Sequence, residues 1–235
     1  MTPLVIIVGA DKGGVGKTQI CRALCDYMET PELKEFPKRV LDGQYPRGDL
    51  VQFCPSAQII NITDVAGQMQ IFDMLEGVTI VDIAAGQLGT MLRACEDAQL
   101  FEDVRNGSLR LALLHVLGPS ISSLDEIKDA IAMLGTSAKH FIVKNHINET
   151  NFFDWDHDSQ YASSLRALAH ITIDVPHLNT VANEAVQQAK TSFLGFAQDA
   201  SSSRTLRGHG VKWLKCVFAE FDRVALGVMI EETFR

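Results

Sequence analysis

The sequence predicts an α/β fold in which a mostly parallel, doubly wound sheet is flanked by helices, and three observations carry that expectation. The apolar run Leu4-Val5-Ile6-Ile7-Val8 reads as a buried parallel strand and passes straight into Gly9 to Thr18, G-A-D-K-G-G-V-G-K-T, after which a helical pattern begins. Further apolar runs of strand length alternate with helix-length amphipathic stretches, and three of them end in a polar residue: Asp42, Asp82 and Asn145. The chain of 235 residues is long enough for a single domain with a full core, and no Pro/Gly/Ser-rich linker divides it.

Taken in order, the first element after the opening strand is the glycine loop. Gly13, Gly14 and Gly16 lack a Cβ, so the backbone there can turn through positive φ and present successive N–H groups to phosphate oxygens at a helix N-terminus. Lys17 supplies a point charge for β- and γ-phosphates, and the Thr18 hydroxyl is placed to ligate Mg²⁺. Lys12 adds charge that one nucleotide site does not need, which points to a separate task.

A helix from Gln19 to Glu29 follows, with Ile20, Leu24 and Met28 toward the sheet and Cys21 and Cys25 as small core residues one turn apart. Lys38 to Asp42 ends the second strand, and Ser56 to Ile62 is a short one. Asp64 to Glu76 reads as a helix with Val65, Met69, Phe72 and Leu75 on its buried face. Gly77 to Asp82 is a buried strand ending in a carboxylate able to bind Mg²⁺ through water. Leu88 to Val104 is predicted as one helix and Leu109 to Leu117 as a strand, with His115 a satisfied core residue. Ser122 or Ser123 caps a helix to about Leu134, with Asp125 and Glu126 in its first turn. Phe141 to Asn145 and Ile171 to Val175 are the remaining strands, and the acidic, aromatic stretch Asn151 to Asp158 between them suggests a partner surface. A terminal helix of about residues 206–230 is joined through Ser201 to Ser203, and Arg204, Arg207, His209, Lys212 and Lys215 cluster around its start.

The stretch Asp11-Lys12-Gly13-Gly14-Val15-Gly16-Lys17-Thr18 resembles the deviant Walker A P-loop of the ParA/MinD family of ATPases, K-G-G-x-G-K-[ST]. That resemblance implies ATP/ADP and Mg²⁺ as cofactors, with Asp11 to Thr18 and Gln19 around the phosphates and Lys12 reaching into the ATP of a second protomer. Asp42 to Asp49 is similar to the family's D-x-D-P-Q-G-N segment, so Asp42 is expected in the Mg²⁺ shell with Thr18 and Asp82. The water-orienting aspartate of that segment falls here on Gln44, which can orient water but cannot take its proton, so slow, partner-stimulated hydrolysis is implied. Asp82-Ile83-Ala84-Ala85-Gly86 is similar to the family's Walker B and switch, D-x-[PA]-[PA]-G, with Gly86 as hinge. Asn145 stands where the family reads adenine, and Pro176 and His177 stand where its backbone borders the base.

Composition narrows the partners. A formal net charge of −8 argues against coating nucleic acid through overall charge, leaving Arg204, Arg207, Lys212 and Lys215 as a local patch for non-specific DNA. Five cysteines without a C-x-x-C or C-x-C spacing point to reduced thiols in cytoplasm, and away from the cysteine-bridged, metal-carrying relatives of the loop family. No apolar run approaches the ~18 residues that span a bilayer, and the tail lacks the basic face of a membrane-seeking helix. The expectation is an ATP-dependent homodimer that positions or partitions DNA. The alternative is an accessory ATPase of a conjugation, secretion or polar assembly that binds protein and no DNA.

Overall fold

The computed structural model describes residues 1–10, 12–73, 75–117, 124–147 and 170–235. Its centre is a seven-stranded sheet in which every pairing is parallel. The strands are β1 (Leu4–Gly9), β2 (Lys38–Asp42), β3 (Gln58–Ile59), β4 (Val78–Asp82), β5 (Arg110–Leu117), β6 (Lys139–Asn145) and β7 (His170–Val175). They lie in the order β3-β2-β4-β1-β5-β6-β7, so the glycine loop leaves the middle of the sheet.

Helices cover both faces, and the strand period of two explains how one sheet serves both layers. Leu4, Ile6 and Val8 of β1 enter one core, Val5 and Ile7 the other. The first core takes α1 (Lys17–Tyr27) and four C-terminal helices: α6 (Thr180–Ala189), α7 (Phe193–Gln198), α8 (Arg204–Arg223) and α9 (Leu226–Glu231). The second takes α2 (Val65–Phe72), α3 (Leu88–Asp97), α4 (Leu100–Asn106) and α5 (Leu124–Leu134). Both faces being buried is why β1, β4 and β5 read as nearly unbroken apolar runs.

Several elements depart from expectation for identifiable reasons. α2 is shorter and turned about its axis: Val65 and Met69 are exposed, while Gly67 and Ile71 face inward. A Cβ on Gly67 would sit 1.8 Å from the Asn61 carbonyl oxygen, so close backbone contact fixes which face packs. The single helix expected over residues 88–104 breaks at Gln99, which adopts φ 60°. The terminal helix likewise breaks at Ala225, φ 56°. Ser203 caps α8 by accepting from the Leu206 N–H, so the serine run is a helix start. The short strand expected over 56–62 reduces to Gln58–Ile59.

All five cysteines are free. Among the described residues no helix is long and apolar enough to cross a membrane. The predicted cap at Ser122 or Ser123, the acidic aromatic stretch 151–158 and Asp11 lie outside the described residues.

Candidate functional site

The loop between β1 and α1 opens at the carboxyl end of the central strand. Gly14 at φ 77° and Gly16 at φ 88° adopt the left-handed conformation, with Gly16 the N-cap of α1. Gly13 is not among the residues at positive φ, contrary to expectation. A Cβ on Gly16 would lie 2.2 Å from Asn145 Nδ2, so that position excludes any side chain. Lys17 is buried at the head of the helix, Val15 is buried beneath the loop, and Lys12 stands exposed upon it.

Two acidic strand ends meet beside this loop because β2 and β4 pair in register at Asp42 and Asp82. They are used differently. Asp42 is fully buried and accepts from three backbone N–H groups: Gln44 to Oδ1 at 3.0 Å, Leu50 and Val51 to Oδ2 at 2.7 and 3.1 Å. It anchors the segment 44–51 and adds negative charge to the region expected to hold Mg²⁺.

Asp82 Oδ2 accepts from the Thr18 hydroxyl at 2.9 Å and from Gln44 Nε2 at 3.3 Å, and the same Gln44 amide donates to Thr18 Oγ1 at 2.9 Å. Its other oxygen, Oδ1, is buried without a hydrogen-bond partner among the described residues. Burial pushes the Asp82 carboxyl up to about 6; the Thr18 hydrogen bond opposes this, the Asp42 charge adds to it, and Lys17 and Gln44 lower it. An orphaned buried carboxylate oxygen next to a hydroxyl is a hard-oxygen donor set that fits Mg²⁺. Among the described residues no group of three or more His, Cys, Asp or Glu converges, so phosphate oxygens and water would complete such an ion's shell.

A cavity of about 640 Å³ runs from the loop to the far strands. Gly13, Gly14, Lys17, Thr18, Gln19 and Gln44 line one end; His146, His177, Asn183 and Gln187 line the other. Both ring nitrogens of His177 and Oδ1 of Asn183 are buried without partners among the described residues. Such a wall can complement the edge of a heteroaromatic base. Gly86, φ 71°, ties the segment after Asp82 to the loop by donating its N–H to the Ala10 carbonyl at 3.0 Å.

The expected base reader is placed otherwise. Asn145 is 1% exposed and its Nδ2 donates to the Val15 carbonyl at 2.8 Å, so it holds the loop and does not line the cavity. Pro176 turns its carbonyl to Trp213 Nε1 at 2.7 Å and borders a neighbouring cleft. Asn183 and Gln187, which do line the cavity, are i and i+4 on α6; their signal was available once Asn179, which caps that helix, is read as its start.

On α8, Arg204, His209, Lys212 and Lys215 are exposed, whereas Arg207 turns inward to donate to the Ala197 carbonyl at 3.4 Å. His115 is buried as expected, its ring stacked on His140 with Nε2 and Nδ1 3.1 Å apart. Compared with protein-family models and with curated proteins, the chain matches none.

Proposed function

We propose that this protein is a Mg²⁺-dependent ATPase of the deviant P-loop type, whose ATP-bound dimer and ADP-bound form differ in their hold on DNA, and which thereby positions or partitions it. The observation that carries the reading is the glycine loop at the end of β1 facing a buried, half-unpartnered Asp82 across the Thr18 hydroxyl. Loop N–H groups and Lys17 bind the phosphates. Thr18 and Asp82, hydrogen-bonded to each other, would hold the metal, and Gln44, bonded to both, would position water. Bound Mg²⁺ supplies charge neutralisation on the phosphates. His177, Asn183 and Gln187 hold the base. Lys12, exposed on the loop, serves the partner protomer's phosphates.

One observation favours the second reading, an accessory ATPase that captures protein and no DNA: with Arg207 turned inward, the basic face on α8 is smaller than the sequence suggests. Gel filtration with ATP and with ADP, repeated with arbitrary DNA across a salt series, separates the two. A dimer only with ATP, retained on DNA and released by salt, is the expected result. A monomer under every condition overturns the dimer switch, and an ATP dimer without DNA retention favours the accessory reading. Lys12→Ala is expected to keep ATP binding and lose dimerisation or turnover; unchanged turnover refutes its role across the dimer.

A further inference from the structure

A second cavity, of about 310 Å³, opens beside α1, shares no lining residue with the first and contains chemistry the nucleotide site does not use. Cys25 of α1 and Cys54, which follows the turn Leu50–Gln52, both line it, as do Arg22 and Ser56. Cys25 is buried and Cys54 half-buried, and both border the same space. Ser56 Oγ lies 3.3 Å from Cys54 Sγ, and the Ala57 N–H donates to the Cys54 carbonyl at 2.9 Å.

Arg22 forms a wall of the same cavity. It is 2% exposed, its guanidinium lies 3.7 Å from the Phe53 ring centre and 4.4 Å from that of Phe193, and Nη2 donates to the Thr191 carbonyl at 3.1 Å. Its Nε and Nη1 are buried without hydrogen-bond partners among the described residues. A fully buried cation with two unused donors beside a solvent-reached thiol is a place where an oxygen anion leaving that thiol can be received. The other charged groups around the cavity are Asp26 and the Glu29–Lys38 pair, 2.7 Å apart.

We propose that Cys54 is a peroxide-reactive thiol and Cys25 its resolving partner, so that oxidation joins α1 to the segment that follows Asp42. The Cys54 thiolate attacks one oxygen of hydrogen peroxide, the O–O bond breaks, and hydroxide leaves past Arg22 to take a proton from solvent. Cys54 is then a sulfenic acid. The Cys25 sulfur attacks it, the S–O bond breaks, and the Cys25 proton leaves with the hydroxyl as water, giving a disulfide. Two thiols lose two electrons, and one peroxide becomes two waters.

The two thiols are divided in the way this sequence requires. Cys54 is lowered to about 6, first by the hydrogen bond from Cys25, with burial opposing and the Ser56 and Ala57 donors assisting. Cys25 is raised well above the ordinary thiol value, first by that same hydrogen bond and then by burial, so it keeps its proton until the sulfenic acid forms.

The full chain treated with one equivalent of hydrogen peroxide tests this by non-reducing peptide mapping. A Cys25–Cys54 linked peptide, reversed by a dithiol reductant, is expected, with the exposed Cys216 still free. Cys25→Ser should leave Cys54 as a sulfenic acid trapped by a cyclic diketone, and Cys54→Ser should leave Cys25 unoxidised. At pH 6 Cys54 should be alkylated on the order of tenfold faster than free N-acetylcysteine. Oxidation of Cys216 with Cys25 and Cys54 left as thiols, or alkylation of Cys54 no faster than the free thiol, overturns the proposal.

Discussion

Asn145 Nδ2 donates to the Val15 carbonyl at 2.8 Å, binding the end of β6 to the underside of the glycine loop. The contact lies directly under Gly16, where a Cβ would collide with the same nitrogen. Asn145 thus sets the loop's position. Asn145→Ala should cost about 1–3 kcal/mol of stability through the buried carbonyl it orphans. It should weaken ATP and GTP binding together, whereas Asn183→Ala should change their ratio. Titration calorimetry with both nucleotides checks this, and a loss confined to ATP in Asn145→Ala would return the base-reading role to that residue.

The three loop glycines are not equivalent. Gly16→Ala forces a left-handed alanine against Asn145 and should destabilise the protein by more than about 2 kcal/mol. Gly13→Ala meets nothing within 4 Å and should leave the denaturation midpoint nearly unchanged. Equal midpoints for the two variants would contradict the loop geometry.

Arg22 is a structural cation between Phe53 and Phe193. Arg22→Ala removes the packing of both rings and the nearby countercharge of Asp26, and should cost on the order of 3 kcal/mol. Arg22→Met fills the same space and should cost less. Urea denaturation of the two variants measures the difference.

Asp26 is buried and accepts from the Phe193 and Leu194 N–H groups at 2.8 and 3.3 Å, fixing the start of α7. Burial raises its carboxyl from 3.8 to about 6 despite the Ser192 and backbone hydrogen bonds and the Arg22 charge. The folded protein therefore binds this proton more tightly than the unfolded chain. The stability that Asp26 contributes is full below about pH 4, is lost as pH rises toward 6 and stays lost above it. The change is on the order of 3 kcal/mol. Asp82 shifts in the same direction, so Asp26→Asn should flatten only part of the wild-type slope between pH 4 and 6. An unchanged slope would show that Asp26 titrates normally.

Much of the architecture is legible in the residues, because strands buried on both faces leave unbroken apolar runs and Lys38–Asp42 is bounded as expected. The loop, Lys17, Thr18 and Asp82 are legible because glycine spacing and a strand-end carboxylate are local signals. The turned face of α2 was hidden, since it depends on the approach of Gly67 to the Asn61 backbone and not on the helix's own periodicity. The roles of Asp42 and Asn145 were hidden for a related reason: each is set by backbone groups brought from elsewhere, Leu50 and Val51 in one case and Val15 in the other.

Trp213 Nε1 grips the Pro176 carbonyl at 2.7 Å from the buried side of α8, while the neighbouring Lys212 points outward from the same turn. His177, next after Pro176, carries the unpartnered ring nitrogens of the cavity wall. The indole therefore leaves the cavity's far wall and the basic outer surface of α8 one residue away on either side of a single hydrogen bond.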